Sequence, residues 1–319
     1  MEEVQIGKSK VKALPLGFGT NAVGGWNLFP NLNDEIGKKL VKTALDQGIN
    51  FIDTAFAYGL GHSEELVGEA IKGYDRSKII IADKAAQDFS SGKKVIRNDP
   101  QFLREAVDKA LQRLQTDYID IFYIHHPDDH TPKDEAVETL YDLEKTGKIR
   151  AVGVSNFSFA QLKEANKNNH VDIVQNEYSL IHPCGQDDLL PYAKEYQISL
   201  CPFFPLDSGL LTGKYSKPVT FSKDDIRYYN SDFQNPRFAQ IIKIVDQLKP
   251  IAQKYDASIV QIVLAYYLVD PDVSILVPGA KKESEVISNA QAMHIELNDD
   301  DAKFIRQLFM PFMKEQKNK

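Results

Sequence analysis

Short apolar runs alternate with longer segments of helical periodicity along the whole 319-residue chain. The short runs are rich in β-branched and aromatic residues, and most are apolar without interruption, which is typical of strands covered on both faces in a parallel sheet. They predict eight strands at 16–19, 50–53, 79–83, 119–124, 151–154, 173–177, 199–203 and 274–277. Eight successive strand–helix units predict an α/β fold of the (β/α)8 TIM barrel class.

The segments between the strands carry signals for helix ends. Asn33 is predicted to cap a helix that ends at Gly48, and Asn298 to open a last helix. Three further starts are predicted from a cap followed by proline or from a capping box: Asp99 with Pro100, Thr131 with Pro132, and Ser158 with Gln161.

A doubly wound sheet is the main alternative fold, and it should show GxGxxG directly after an early strand. The run Gly17-Phe18-Gly19-Thr20 does not continue into that motif, so the barrel is favoured. No linker composition divides the chain, and we predict one domain over 1–319, with 1–14 on the barrel floor and 298–319 as an extra C-terminal helix. A hairpin is possible at 4–11. The connection 206–235 is far longer than usual, which favours a functional loop.

Composition narrows the function classes. The chain is 43% hydrophobic and 26% charged, with a formal net charge of −7, so it lacks the basic excess of a nucleic-acid binder. No signal sequence or membrane-spanning run is visible, which predicts a cytoplasmic protein without a membrane partner. The two cysteines, Cys184 and Cys201, lack metal-site or CxxC spacing; one disulfide is possible but not required. A monomer is the default expectation.

Four chemically active side chains fall at the ends of predicted strands, where a barrel places its chemistry. Asp53 follows the second strand, Lys84 the third and His125 the fourth, and Tyr58 lies five residues after Asp53. Each has an ordinary structural explanation by itself. Together an acid, an amine, an imidazole and a phenol on one rim predict an active site.

These residues lie in motifs that resemble the aldo-keto reductases, and the resemblance extends over nearly the whole chain in the right order. Within that superfamily the chain looks closest to a bacterial branch of inositol-utilisation-associated reductases that is related to potassium-channel β-subunits. The matching motifs are 48–55 (GINFIDTA), 58–59 (YG), 63–68 (SEELVG), Lys84, 123–125 (YIH), 153–157 (GVSNF), 175–179 (QNEYS), 205–206 (PL), 208–215 (SGLLTGKY), 277–281 (VPGAK) and Asn289.

The resemblance implies reduction of an aldehyde or ketone to an alcohol, with hydride from a nicotinamide. Asp53, Tyr58, Lys84 and His125 would form the family's catalytic tetrad. Tyr58 would be the general acid, with its pKa lowered by the Lys84 ammonium, which Asp53 would hold in place. His125 would donate a hydrogen bond to the substrate oxygen. A small carbonyl compound or alcohol is therefore the expected substrate.

The resemblance also implies a cofactor site for NADP(H), with NAD(H) possible. Ser155, Asn156 and Gln175 would bind the nicotinamide carboxamide, and Phe203 would stack on the ring. Backbone amides of the long connection would hold the pyrophosphate, Lys281 the 2′-phosphate and Asn289 the adenine. The full cofactor set is Gly19, Thr20, Ser155, Asn156, Gln175, Phe203, Leu206, Ser208, Gly209, Leu210, Lys214, Gly279, Ala280, Lys281, Glu285 and Asn289.

Three positions depart from the family pattern. Asp83 stands where relatives usually carry Ser or Thr, Glu285 where Gln or Arg is usual, and Phe203 where many have Tyr. Adjacent residues of a strand point to opposite faces, so Asp83 need not enter the site; if it turned toward Lys84, it would raise the lysine pKa and weaken its effect on Tyr58. Glu285 would repel a 2′-phosphate within its reach. Trp26, Phe56 and His126 are candidates for the substrate pocket.

Three other functions compete with this interpretation. A metal-dependent hydrolase is suggested by the cluster of His125, His126, Asp128 and His130, but adjacent histidines on a strand should splay to opposite faces, so no metal site is predicted. A Schiff-base aldolase would need Lys84 with a lowered pKa, which Asp53 opposes. The third is a regulatory subunit that senses a bound cofactor and turns over slowly or not at all.

Overall fold

The computed structural model describes residues 1–183, 185–223 and 225–316. The chain forms two compact units that alternate along the sequence. The first consists of 1–176, 185–203 and 271–290, and the second of 177–184, 204–270 and 291–319. Cys184 lies outside the described residues, and so does any disulfide that it could form.

The barrel strands belong to the first unit and confirm the predicted fold class. The strands are β3 (Gly17–Gly19), β4 (Phe51–Asp53), β5 (Ile80–Ala85), β8 (Ile121–Ile124), β9 (Val152–Ser155), β10 (Ile173–Glu177) and β11 (Ser199–Phe203). Their order in the sheet is β11-β10-β9-β8-β5-β4-β3, and the pairs from β3 to β10 are parallel. Seven of the eight predicted strands are thus present as strands.

The eighth predicted strand, 274–277, pairs with its neighbours only through isolated bridges and single hydrogen bonds. Leu276 bridges Leu16 and Gly279 bridges Gly19, both in parallel sense, while the amide of Ser274 bonds the carbonyl of Leu200 at 2.9 Å. This segment therefore joins both edges of the seven-stranded sheet. Gly19 suits this close contact, because a Cβ there would lie 3.0 Å from the carbonyl oxygen of Val277.

Two short hairpins accompany the barrel. The N-terminal one pairs β1 (Val4–Gln5) with β2 (Lys12–Ala13), close to the hairpin expected at 4–11. Its residues Ile6, Val11 and Ala13 are buried in one cluster with inward-facing barrel residues such as Phe51. The second hairpin, β6 (Gln87–Asp88) with β7 (Val95–Ile96), follows β5 and has no counterpart in the sequence prediction.

Helices follow the strands as the periodicity predicts. Those of the first unit are α1 (Asp34–Asp46), α2 (His62–Ala70), α3 (Pro100–Leu114), α4 (Lys133–Lys145), α5 (Phe159–Ala165), α6 (Leu189–Glu195) and α10 (Glu283–Gln291), whose last residue falls in the second unit. Those of the second unit are α7 (Arg237–Val245), α8 (Lys249–Lys254), α9 (Ile259–Val269) and α11 (Asp299–Gln316). None of the helices in the described ranges is long and apolar enough to cross a membrane.

Four of the predicted helix starts are confirmed. Asn33 and Asp99 cap α1 and α3, Ser158 forms a capping box with Gln161, and Asn298 accepts from the amide of Asp301. The start at Thr131 with Pro132 is wrong by one residue: Pro132 occupies the cap of α4, and Thr131 donates its hydroxyl to Asp128 instead.

The long connection lies in the second unit and contains three short 3₁₀ helices, Asp207–Thr212, Ile226–Tyr228 and Ser231–Phe233. Its aromatic residues pack edge to face with one another and with the start of α7. Tyr215, Phe221, Phe233 and Phe238 have ring centroids 5.2–6.4 Å apart. Aromatic packing gives this segment a core of its own.

Candidate active site

The ion pair between Lys84 and Asp53 is the centre of the site. Lys84 is fully buried, and its Nζ donates to Asp53 Oδ2 at 2.8 Å and to the carbonyl oxygen of Thr54 at 2.7 Å. Burial is the largest single effect on the pKa of Lys84 and lowers it, but Asp53 together with Tyr58 and Asp83 raises it by more, so the net pKa is raised. The lysine is therefore a fixed cation, which argues against a Schiff-base role that needs a neutral amine.

Tyr58 lies beside this cation. The Lys84 Nζ is 5.3 Å from the centroid of the Tyr58 ring. Burial raises the pKa of Tyr58, and the Lys84 ammonium lowers it without cancelling the burial effect. The expectation of a net lowered pKa is thus wrong, because desolvation of the phenolate exceeds the attraction of the ammonium. The phenol keeps its proton at neutral pH and can donate it.

His125 completes the group, with its ring edge-on to Tyr58 at a centroid distance of 6.3 Å. Burial, followed by the positive charge of Lys84, lowers the pKa of His125 well below its usual value. Its side chain is therefore a neutral imidazole, and its buried Nδ1 has no hydrogen-bond partner in the part of the chain that the structure describes. A neutral imidazole keeps one N–H and can donate a single hydrogen bond.

The adjacent His126 corrects one expectation. The rings of His125 and His126 do not splay to opposite faces; they stack with centroids 4.8 Å apart and planes 19° apart. The reason is that β8 ends at Ile124, so strand alternation stops before both histidines. The Asp128 carboxylate stabilises the loop after β8 instead, because it accepts hydrogen bonds from the backbone amides of Asn98, His130 and Thr131.

Ser155, Asn156 and Gln175 lie at the ends of the next strands. Asn156 adopts a left-handed backbone conformation with φ 60°, and its Nδ2 donates to the His125 carbonyl oxygen at 2.9 Å and to Ser155 Oγ at 3.1 Å. Gln175 Nε2 donates to Asp53 Oδ1 at 3.0 Å. Two of the residues expected to hold the carboxamide, Asn156 and Gln175, are thus hydrogen-bonded to His125 and Asp53, a link that the motifs by themselves do not reveal.

Asp83 faces away from the tetrad, as strand alternation predicts. It is buried, and neither carboxylate oxygen has a hydrogen-bond partner among the described residues. On that side Glu64 of α2 is fully buried and bound by both Nε and Nη2 of Arg113 at 2.8 Å. Burial raises the pKa of both Asp83 and Glu64, and each carboxyl interacts with the other. The two carboxyl groups are therefore most stable when they hold one proton between them.

The segment after the eighth predicted strand holds the remaining cofactor candidates of the first unit. Gly279 forms the bridge to Gly19 and is followed by the buried Ala280, and a Cβ at 279 would lie 3.0 Å from the side-chain oxygen of Asn21. The Lys281 amide donates to Glu285 Oε2 at 2.8 Å, and the Lys281 Nζ lies 3.9 Å from the Phe29 ring centroid. Glu285 thus brings a carboxylate to the residue expected to bind a 2′-phosphate.

The other candidates of the first unit take the following positions. Asn289 is buried on α10, and Phe203 ends β11 partly buried. Buried Thr20 follows β3 and donates its hydroxyl to the Asp53 carbonyl oxygen at 3.0 Å. Phe56 packs 6.5 Å from Phe89 and lies under Arg113, whereas Trp26 is 57% exposed.

The expected pyrophosphate clamp lies in the second unit. Ser208 and Gly209 both have left-handed φ angles, 52° and 91°. The Gly209 amide bonds the Leu206 carbonyl at 2.9 Å, and a Cβ at 209 would lie 2.3 Å from Lys214 Nζ, so the lysine lies against this glycine. Leu210 is buried and anchors the turn. The turn therefore has the Lys214 ammonium beside the backbone of Gly209. A cation next to a tight turn of this kind suits an anionic ligand.

Two features of the site lie outside the sequence prediction. The Thr54 carbonyl binds Lys84, and the Glu64–Arg113 pair buries charge behind Asp83. The first involves a backbone atom, which leaves no signal in the sequence. For the second, the sequence showed only that Asp83 departs from the family pattern and did not indicate the Glu64–Arg113 pair.

The chain is similar to known proteins over most of its length. A family model described as "Aldo/keto reductase family" matches residues 15–309. The "Aldo-keto reductase YhdN" of Bacillus subtilis is 36% identical over 307 residues, covering 96% of this chain and 92% of that protein. The "NADH-specific methylglyoxal reductase" of Escherichia coli is 31% identical, covering 97% and 98%.

A solved structure and a plant protein extend the comparison. The glycerol dehydrogenase AKR11B4 from Gluconobacter oxydans superposes with a TM-score of 0.88 at 32% identity, over 97% of this chain and 95% of that one. A "Probable voltage-gated potassium channel subunit beta" of Arabidopsis thaliana is 32% identical over 92% of both chains. Bacterial reductases and channel subunits are thus both among the relatives, as the motifs predicted.

Proposed function

Because the chain belongs to the aldo/keto reductase family, whose members are oxidoreductases that reduce carbonyl groups, we propose that it reduces small or medium aldehydes and ketones with a nicotinamide dinucleotide, with Tyr58 as the general acid. The observation that supports this assignment is the buried Lys84–Asp53 pair next to a phenol that keeps its proton. A proton donor must be protonated at the working pH.

The residues divide the chemistry among them. When bound, the reduced nicotinamide supplies a hydride to the carbonyl carbon. Tyr58 donates its phenolic proton to the carbonyl oxygen, which becomes the alcohol hydroxyl, and the Lys84 ammonium stabilises the phenolate that remains. Neutral His125 donates an N–H to the same oxygen as its negative charge develops. Asp53 keeps Lys84 charged and in place through the 2.8 Å ion pair.

The donor set suits a carboxamide. Ser155 offers a hydroxyl and Asn156 and Gln175 offer amides, groups that pair with the amide of a nicotinamide. Gln175 also binds Asp53, and Asn156 binds the His125 carbonyl. A carboxamide held by these residues would therefore have a fixed position relative to Asp53 and His125.

The first test compares Tyr58→Phe with Tyr229→Phe, since Tyr229 is 72% exposed. Loss of a general acid should lower kcat about 10²–10⁴-fold, while the cofactor Kd, measured by fluorescence titration, stays within about twofold. Tyr229→Phe should keep both. A Tyr58→Phe variant with wild-type kcat would show that another group supplies the proton.

For the cofactor we propose NADP(H) in preference to NAD(H), through Lys281, with Asn289 on the adenine and the turn of Leu206, Ser208, Gly209 and Leu210 with Lys214 on the pyrophosphate. Glu285 opposes this preference, since it binds the Lys281 backbone, and the Escherichia coli relative is described as NADH-specific. Lys281→Met should weaken NADPH binding and leave NADH binding unchanged, whereas Glu285→Gln should strengthen NADPH binding.

A regulatory subunit that binds the cofactor without useful turnover is the alternative, favoured by the relatives described as potassium-channel β-subunits. The two functions share a cofactor site and differ in turnover. A panel of aldehydes and ketones, followed at the nicotinamide absorbance, should give kcat in the enzymatic range of about 1–10³ s⁻¹. Tight binding with far slower turnover on every compound would favour the subunit.

A further inference from the structure

The side chain of Asn27, in the loop after β3, holds the backbone on both sides of Tyr58. Asn27 Nδ2 donates to the carbonyl oxygen of Ala57 at 3.0 Å, and Asn27 Oδ1 accepts from the backbone amide of Gly59 at 2.7 Å. We propose that Asn27 is a positioning residue for Tyr58, because one amide group ties together the two peptide groups that flank the tyrosine. The inference rests on the proposed role of Tyr58 as the general acid.

The two hydrogen bonds of Asn27 act on both backbone dihedral angles of Tyr58. A peptide group is planar, so the Ala57 carbonyl and the Tyr58 amide form one rigid unit, and the Tyr58 carbonyl and the Gly59 amide form the next. The two units are joined through the φ and ψ angles of Tyr58. A side chain that bonds one group of each unit therefore holds both angles, and with them the direction in which the phenol leaves the backbone.

The other polar groups of these two peptide units are bonded inside the Tyr58 loop. The Tyr58 amide donates to the Ala55 carbonyl at 3.0 Å, and the Tyr58 carbonyl accepts from the Ser63 amide at 3.1 Å. Asn27 bonds the remaining carbonyl and the remaining amide, so all four groups around Tyr58 have partners. Because Gly59 is buried, its amide would lose a hydrogen bond that is costly to leave unmade.

The backbone after Tyr58 has an unusual conformation that needs such support. Three consecutive residues have left-handed φ angles: 68° at Gly59, 56° at Leu60 and 100° at Gly61. A left-handed backbone is unfavourable for a residue with a Cβ, such as Leu60, and persists only where the surrounding structure holds it. The bond from the Gly59 amide to Asn27 supplies part of that support at the first of the three residues.

The loop that carries Asn27 is anchored on either side of it. Before Asn27, Thr20 bonds the carbonyl oxygen of Asp53 through its amide at 2.9 Å and through its hydroxyl at 3.0 Å. After Asn27, the ring centroid of Phe29 lies 3.9 Å from Lys281 Nζ. The amide of Asn27 is therefore presented from a segment that is fixed relative to the Lys84–Asp53 pair.

The two loops also approach each other through their backbones. A Cβ at Gly59 would lie 2.0 Å from the carbonyl oxygen of Gly24. The Trp26 amide bonds the same carbonyl at 2.8 Å, which closes a tight turn directly before Asn27. Asn27 thus bridges two segments that are already in contact.

The experiment compares Asn27→Ala, Tyr58→Phe and the double variant in the full-length protein, with the best substrate of the carbonyl panel. Asn27→Ala should lower kcat at least about tenfold, because a displacement of about 1 Å at a catalytic group can cost about 100-fold. The KM and the NADPH Kd should stay within about twofold of the wild type, since the lost interaction acts on the chemical step. In the Tyr58→Phe background, Asn27→Ala should cause no further loss in single-turnover measurements, because the group through which it acts is gone.

Two further variants serve as matched comparisons. Asn27→Asp keeps an oxygen for the Gly59 amide and loses the donor to Ala57, so its kcat should lie between those of the wild type and Asn27→Ala. Asn168→Ala removes another exposed asparagine, whose Nδ2 bonds Glu138 Oε1 at 2.9 Å, and should keep the wild-type kcat. If Asn27→Ala does not fold, Asn27→Asp takes its place in the comparison with Tyr58→Phe.

Hydrogen exchange followed by mass spectrometry tests the contact without any turnover. The segment 57–61 should exchange faster in Asn27→Ala than in the wild type, and at the wild-type rate in Asn168→Ala. Two kinetic outcomes overturn the proposal: an unchanged kcat in Asn27→Ala, or an equal loss in the wild-type and Tyr58→Phe backgrounds, which would indicate a general structural role. Failure of the proposed function gives a different result, because Tyr58→Phe itself would then keep the wild-type kcat.

Discussion

At the scale of single residues, the pKa of Tyr58 depends on two opposing effects. Burial favours the neutral phenol, and the Lys84 ammonium favours the phenolate. Burial prevails, so the phenol keeps its proton, as the role proposed for it in carbonyl reduction requires. Alcohol oxidation runs the same step backwards and needs the phenolate, so the two directions should respond to pH with opposite sign.

Lys84→Met tests this balance through pH profiles. Removing the ammonium raises the Tyr58 pKa further, so the alkaline rise of alcohol oxidation should move to higher pH. Each unit of that shift costs about tenfold in oxidation rate below the pKa. Lys84→Arg keeps the cation and should give an intermediate profile, and Lys72→Met, at an exposed lysine, should leave it unchanged. An oxidation pH profile that does not move in Lys84→Met would show that Lys84 does not influence the pKa of Tyr58.

Asp83→Asn tests the buried acid behind the site. Folding raises the Asp83 pKa above 3.8, so the folded protein holds this proton more tightly than the unfolded one. Stability must then fall as the pH rises from about 3.8 through the folded-state pKa. Asparagine removes one of the two buried acidic groups, so the variant should be more stable than the wild type at pH 7, by about 1.4 kcal/mol for each unit by which folding raises the Asp83 pKa.

Thermal melts at pH 7 and pH 4 provide the measurement for Asp83→Asn. The gain in Tm should shrink toward pH 4, where the wild-type carboxyl is protonated as well. Asp129→Asn, at an exposed aspartate, should show no such gain. A variant less stable than the wild type at pH 7 would mean that the Asp83 carboxylate is stabilised by its surroundings.

At the scale of elements, the strands were readable from sequence because both faces are buried and their apolar runs are unbroken. Helix starts were readable where a side chain caps the backbone, as at Asn33 and Ser158. Thr131 was misassigned because its hydroxyl binds Asp128, a contact made through a loop. The stacking of His125 on His126 was also missed, since it depends on where β8 ends.

The same limit applies to the candidate sites. The tetrad was predictable because strand ends of a barrel converge on one rim whatever the loops do. The Glu64–Arg113 pair beside Asp83 was not, because its members lie on α2 and α3 and meet only in the folded chain. Contacts of this kind leave no pattern in the sequence.

Gly153 makes a testable contribution to strand packing. A Cβ at this position of β9 would lie 2.3 Å from a Tyr123 ring carbon on the neighbouring strand. Gly153→Ala should therefore lower the free energy of unfolding by about 1–3 kcal/mol, the usual cost of overpacking. In a Tyr123→Leu background the same alanine should cost less, because the ring is gone. Urea unfolding of the four proteins gives the coupling energy, and additive costs would exclude the clash.

At the scale of the whole molecule, a cofactor that binds only the folded chain must stabilise it. At a concentration of about 100 times Kd the gain is about 2.7 kcal/mol, enough to raise Tm by several degrees in a protein of this size. Saturating NADPH should therefore raise the Tm of the wild type, and Lys281→Met should reduce that rise at equal NADPH concentration. The rise with NADH should be the same in both proteins, because a bare ribose hydroxyl has no need of the cation. If Lys281→Met reduced both rises equally, Lys281 would contribute to the fold around Glu285 and not to recognition of the 2′-phosphate.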